Sequence, residues 1–349
     1  MAKLRGLLLR LTFAVAFFFV LLEVMLRLFV HKLPHPIAND IVLCYSARSG
    51  GMYFVDHPSL TNFLLPNTTL KGLFNGHQWQ HRTDARGFRN PPNTESEVVL
   101  LGDSFIYGHG VEEAETVAAY LRKDHGWKVY NLARQGDFLT AQYLMLKLYF
   151  PELKPKKVIL FPFVNDFGDI LTSRSQEAIV KPPELDEAFV EGVRQRVQSG
   201  RERGREGTFY DWLYTYRLQK ILRQMRKRSE PGGPSVTAPW LAALLEEDKF
   251  KLISTHYELL FVDMLRICRE GGAELEVVYV DTATDAKEWI ETEKRMDTYL
   301  RDLCARHKVP FASTRSLLKG HPERLLVGDG HLSPAGHKAL ADFLAQPRK

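Results

Sequence analysis

Cysteine is scarce in this 349-residue chain. Cys44, Cys268 and Cys304 are too few for a disulfide framework, and no Cys-x-x-Cys pair offers a zinc or dithiol signature. A broad surplus of one charge is missing as well. Of the formal +5, residues 191–230 alone carry 11 Lys/Arg against 5 Asp/Glu, which leaves −1 on the remainder and no basic footprint there for nucleic acid. Long apolar runs are also missing, with one exception at the N-terminus. What is present in quantity is ordinary core material: an apolar content of 45% can fill one sizeable domain with attachments. Cys268 and Cys304 fall in helix-like stretches and read as small core residues.

The exception is "MAKLRGLLLRLTFAVAFFFVLLEVMLRLFVHK". Lys3, Arg5 and Arg10 precede the run Leu11 to Val30, whose 20 residues match the thickness of a bilayer. Glu23 and Arg27 interrupt it four residues apart, on one helix face, where they neutralise each other near the far interface. No small-x-small cleavage site follows in "VHKLPHP", and Leu43 before Cys44 does not make a lipoprotein signal. The excess of positive charge ahead of the span predicts residues 1–10 in the cytoplasm, an anchor over 11–30 and the rest outside, periplasmic in a Gram-negative cell.

Residues 31–95, rich in Pro, Asn, Gly and His, show little periodicity and are expected to form a stalk and an irregular layer. His77 and His81 lack companion carboxylates or cysteines and read as surface histidines rather than metal ligands. From residue 96 the rhythm changes. "EVVLLG", "KVYNLA", "KVILFPFV", "ELEVVYV" and "VPFAS" are short, nearly continuous apolar runs, the pattern of strands covered on both faces, and amphipathic segments alternate with them. This order predicts a three-layer α/β domain over 96–349 around a parallel five-stranded sheet. Residues 170–250 break the alternation as a helical insertion. Within it, Phe209 to Arg228 reads as a helix with Trp212, Leu213, Tyr216, Ile221 and Met225 opposite a basic face, and "EPGGPS" follows as a joint. That basic face suits solvent first, and a lid or an anionic lipid surface second.

Ligands of an open parallel sheet bind beyond the carboxyl ends of its strands, so what each strand delivers there matters. The first, in "VVLLGDSFIYGHGV" at 98–111, delivers Gly102-Asp103-Ser104. The second is followed by Gly136 of "NLARQG", the third by Asn165-Asp166 of "FVND", and the fifth by "VGDGHLSPAGH" with Asp329, His331 and His337. A serine hydroxyl becomes a nucleophile when an imidazole takes its proton, and the imidazole needs a carboxylate to fix its tautomer. The carbonyl it attacks becomes an oxyanion that needs donors in place beforehand.

These blocks, in this order, resemble the SGNH (GDSL) hydrolase superfamily in a membrane-anchored, bacterial-type form, over roughly Glu97 to Asn165 and the C-terminal "DGHLSPAGH". The resemblance implies an SGNH/flavodoxin-like sheet, Ser104 as nucleophile, His331 as base and Asp329 as its orienting carboxylate. It further implies Ser104, Gly136 and Asn165 as oxyanion-hole donors, with no metal and no organic cofactor. Two departures stand out: Phe163 occupies the place two before Asn165 where the family usually has glycine, and the last block reads Asp-x-His in place of Asp-x-x-His. An extended Asp329–His331 segment would put both side chains on one side, whereas His337, behind the Ser333 cap and Pro334, belongs to the last helix. Asp103, His109 and Asp166 read as supporting residues and Arg89 as a packing or salt-bridge residue. The expected activity is hydrolysis of an extracytoplasmic ester through an acyl-serine, the substrate being an O-acylated glycan or a lipid. The alternatives are O-acyl transfer to an envelope glycan and a binding or assembly module with a vestigial site.

Overall fold

The computed structural model describes residues 2–42, 53–56, 62–64, 66–167, 187–203, 213–228, 239–282 and 287–347. Two antiparallel strand pairs come first, β1 (Tyr53–Asp56) with β2 (Asn62–Leu64) and β3 (Thr69–Phe74) with β4 (His77–Arg82). The main sheet follows: β5 (Val98–Gly102), β6 (Val129–Asn131), β7 (Lys157–Phe161), β8 (Glu274–Tyr279) and β9 (Phe311–Ser313), ordered β6-β5-β7-β8-β9 and parallel throughout. Each of the five apolar runs read from the sequence contains one of these strands. The cause is double-sided burial. Leu100, Leu101, Ile159 and Leu160 are fully enclosed, and each such side chain contributes roughly 1.5–3 kcal/mol of burial.

The chain reverses its direction of travel across the sheet after β6, so β5 and β7 flank the switch point where open sheets hold ligands. Helix α4 (Val117–His125), between β5 and β6, packs with the last helix, Pro334–Ala345. Helix α5 (Leu139–Leu153), between β6 and β7, packs with the helix Glu247–Glu270. Cys268 and Cys304 are buried in helices 247–270 and 287–307, as their sequence setting implies.

At the N-terminus, helix α1 (Ala2–Phe29) runs into a 3-10 turn and then helix α2 (His35–Val42). The stretch Leu4–Lys32 is the one helix among the described residues that is long and apolar enough to cross a membrane, and most of its side chains are exposed. The Glu23–Arg27 pair forms as expected, at 2.7 Å. Glu23 has a second role: it accepts hydrogen bonds from the Tyr214 and Thr215 N–H groups at the start of helix Tyr214–Arg228, at 3.1 and 2.9 Å. A carboxylate at a helix N-terminus satisfies orphan donors and the positive end of the helix dipole. A small separate core of Val30, Ala38, Ile41, Val42, Leu73 and Ile221 joins the 3-10 turn after α1 with α2, β3 and this helix.

Several expectations are corrected. The described part of 31–95 holds a helix and two strand pairs, and residues 83–95 form neither helix nor strand. The basic helix is described from Tyr214 onward. Phe209, Trp212, the "EPGGPS" joint and Cys44 lie outside the described residues, and so does the Met225 side chain. His77 and His81 sit on β4, and His81 is not the surface residue expected. His81 is fully buried against the Tyr107 hydroxyl, 2.5 Å away, and burial followed by the nearby Arg89 charge holds it down at about 3.

Candidate active site

The first strand of the sheet ends in a residue that could not carry a side chain. A Cβ on Gly102 would lie 2.8 Å from Ile106 Cγ1 and 3.2 Å from Phe161 Cβ, so glycine is what lets β5 turn directly into helix α3 (Ser104–Tyr107). Asp103, not Ser104, is the N-cap: its carboxylate accepts from Phe105 N at 3.0 Å. Burial raises the Asp103 carboxyl despite that hydrogen bond and the charge of His331. Ser104, freed from capping, stands half-buried at the first helical position. Arg89 fastens the segment that follows, its fully buried guanidinium donating to the carbonyls of Tyr107, Gly108, Gln80 and Val111. It is a backbone clamp rather than a salt-bridge partner.

Across the rim, the turn after the fifth strand brings its residues onto this serine. His331 Nε2 lies 2.8 Å from Ser104 Oγ, and His331 Nδ1 is hydrogen-bonded to Asp329 Oδ1. The expected extended segment is instead a turn: Gly328 and Gly330 have φ of +72° and +91°, and Asp329 Oδ1 also accepts from His331 N at 3.2 Å. The carboxylate thus reaches both the backbone and the ring of a residue two places on, the local bonding that shortens Asp-x-x-His to Asp-x-His. Burial acts to raise Asp329, but the His331 hydrogen bond and charge outweigh it and hold the carboxyl at about 2, so it is ionised at neutral pH. Its side chain is fully enclosed, and its other oxygen, Oδ2, accepts from Asn75 Nδ2 at 3.0 Å.

The rings of Phe105 and His109 pack on His331, with centroids 4.8 and 4.6 Å away. His109 is itself hydrogen-bonded to Gln135, and burial, then the His331 charge, pushes it down to about 3, which leaves it neutral. His337 is not bonded to Ser104. It is fully buried in the last helix, where its Nδ1 accepts from Val117 N at 3.2 Å.

A cleft of about 800 Å³ opens at Ser104 and is lined by Asn165, Asp329 and His331 as well. Its wall is aromatic: Phe105 tilts against Phe163 at 4.4 Å, and Phe163 stacks on Trp289 at 6.2 Å. Phe163, at the place the family usually gives to glycine, is therefore a wall residue. Asn165 follows in the helical turn 164–167 after β7. Asp166 closes that turn by accepting from Phe163 N at 3.0 Å. Gly136 stands apart from the cleft lining, on an exposed turn with φ +71°, one residue beyond the Gln135 that bonds His109.

Residues 100–339 match the GDSL-like Lipase/Acylhydrolase family. The chain belongs to that family. The parallel sheet, the serine at its β5 end and the matched span agree, and the protein is a GDSL-type acylhydrolase, an enzyme acting on ester bonds. Among solved structures it is similar to TesA, with 13% identity over 71% of this chain and 96% of that one and a TM-score of 0.40. It is also similar to the lipase Lip_vut3 from a goat rumen metagenome (15%, 71% and 95%, TM-score 0.40) and to the acetyl xylan esterase AlAXEase (11%, 71% and 96%, TM-score 0.41). No curated protein matches the sequence.

Two residues of this GDSL site escape the family motifs, whereas His109 already reads as a supporting residue in the block that carries Ser104. Trp289 carries no local signal beyond its type. Asn75 does carry one, since Asn-Gly at 75–76 is a hairpin-turn signature, but nothing in the sequence points that turn at Asp329.

Proposed function

We propose that this acylhydrolase cleaves an extracytoplasmic ester through an acyl-Ser104 intermediate, from a single-pass anchor with residues 1–10 in the cytoplasm. The observation that carries the proposal is the continuous run Ser104 Oγ to His331 Nε2, at 2.8 Å, and His331 Nδ1 to Asp329. As Ser104 Oγ bonds to the acyl carbon, its proton passes to His331 Nε2, and the ionised Asp329 carboxylate stabilises the imidazolium. The Ser104 N–H and the Asn165 amide supply the oxyanion donors, each worth on the order of 3 kcal/mol in the barrier, and Gly136, which stands apart from the cleft lining, is left out of that set. When the carbon–oxygen bond to the alcohol breaks, His331 returns the proton to the leaving oxygen. Water then attacks the acyl-serine, giving its proton to His331, and as the bond from the acyl carbon to Ser104 Oγ breaks to release the acid His331 returns that proton to Oγ.

The Phe105–Phe163–Trp289 wall suits an acyl chain or the apolar face of a sugar, so an O-acylated glycan or an envelope lipid is the substrate class offered. The topology rests on Lys3, Arg5 and Arg10 ahead of the span and on the exposure of the Leu4–Lys32 helix. Ser104→Ala in the full chain is expected to abolish turnover of a small chromogenic ester, and undiminished activity in the folded variant rejects the nucleophile. A reporter fused after Lys349 is expected to be active only if of a kind that works outside the cytoplasm. Release of a shortened soluble form would reject the uncleaved anchor.

A further inference from the structure

The turn between β3 and β4 lies outside residues 100–339, yet it reaches the carboxylate at the centre of the site. Asp329 uses Oδ1 on His331. Its enclosed Oδ2 has Asn75 Nδ2 as donor, and a buried carboxylate oxygen that loses such a donor has both an energetic penalty and new freedom to rotate. Asn75 is held in turn from the opposite side. Its backbone N–H donates to Asn39 Oδ1 at 2.8 Å, and its own Oδ1 accepts from Asn39 Nδ2 at 3.0 Å.

These three bonds admit one orientation of the Asn75 amide. The carboxylate demands a donor and the Asn39 amide demands an acceptor, so Nδ2 must face Asp329 and Oδ1 must face Asn39. The backbone agrees, because Asn75 sits at φ +47°, a left-handed conformation that asparagine tolerates better than other side-chain-bearing residues. Asn39 is nearly enclosed and belongs to α2, the helix that follows the apolar anchor and shares a small core with Val30 at the anchor's end and Leu73 of β3. A second tie runs from the same hairpin to the same catalytic turn, from His77 Nε2 to Val327 O at 3.0 Å.

We propose that Asn75 is a positioning residue that fixes the Asp329 carboxylate for His331, and that the membrane-proximal helix α2 holds Asn75 in this pose through Asn39. This rests on the triad reading above and extends it: the run Asn39, Asn75, Asp329, His331, Ser104 makes the anchor-side segment part of what orients the site. The titratable groups around Asp329 are His331 on its own turn, His109 after α3 and His77 at the start of β4.

The test uses the full chain in detergent micelles with a chromogenic ester, and Asn75→Gly, Asn75→Asp and Asn39→Ala beside the parent and Ser104→Ala. Glycine keeps the φ +47° turn and removes only the amide. Asn75→Gly is expected to lower kcat about 10- to 100-fold with KM little changed, the scale of one lost hydrogen bond to a charged group. Asn75→Asp sets a second carboxylate against Asp329, so it is expected to fall further and to move the acidic limb of the kcat/KM profile to higher pH, a shift that a purely structural turn residue would not produce. Asn39→Ala, which leaves the turn untouched, is expected to show a smaller loss of the same kind. Parent-like kcat and pH profile in folded Asn75→Gly and Asn39→Ala, with Ser104→Ala inactive, overturn this inference alone. Activity in Ser104→Ala overturns the triad reading beneath it.

Discussion

The five-stranded sheet and the β3–β4 hairpin meet at the same carboxylate but were encoded differently. β5 and β7 are buried on both faces, so their apolar runs announce them, and the rim residues follow at their ends. The hairpin is covered on one side. In "HQWQHR" only Trp79 is a large apolar residue, and the buried His81 looks polar. Its contribution to the site, Asn75, is invisible until two segments 254 residues apart in sequence are placed together. Catalytic residue types can be read locally, whereas the groups that orient them are set by tertiary contacts.

The comparison is broken most sharply at the rim. His331→Ala is expected to lower kcat by about four to six orders of magnitude in an ester assay, since members of a triad act as a unit. Asp329→Asn keeps the shape but lets the imidazole take the wrong tautomer, and a loss of about 10³ to 10⁴ in kcat is expected. His337→Ala is expected to leave kcat within a few-fold while costing about 1–3 kcal/mol in thermal or urea unfolding, because it strips the acceptor from Val117 N and opens a fully buried site. Gly102→Ala sharpens the sheet side: its Cβ meets Ile106 and Phe161, and about 1–3 kcal/mol of destabilisation should appear by the same measurement.

Glu293, which accepts from Thr282 of the cleft lining, gives an effect on the pH dependence of stability alone. Burial, then the Asp281 carboxylate, pushes it up to about 8, against 4.5 for an unperturbed group, and its Oε1 accepts from Thr282. Between these values the unfolded chain releases the proton and the folded chain keeps it, so this group makes stability fall as pH rises from about 4.5 to about 8. Glu293→Gln removes the titration and keeps the acceptor. Its unfolding midpoint is expected to gain on the parent steadily across that window and to hold the gain above it; a constant offset at all pH values would contradict the account.

The sheet, its connection by helices and the Ser104, Asp329 and His331 grouping were legible because strand burial and strand-end chemistry leave local marks. The backbone between Asp329 and His331 was not: an extended segment and a glycine turn can both bring the pair together, and spacing alone does not choose between them. Neither was the second use of Glu23. A carboxylate in an apolar helix suggests a partner four residues away, and Arg27 is there, but the start of helix Tyr214–Arg228 draws on the same oxygens.

The central claim is that Ser104, made nucleophilic by His331, forms the covalent intermediate. Labelling the full-length protein with a fluorophosphonate, followed by mass-spectrometric mapping of the adduct, tests it directly. The account predicts a single adduct on Ser104, abolished in His331→Ala; an adduct on another serine, or none on an active enzyme, would contradict it.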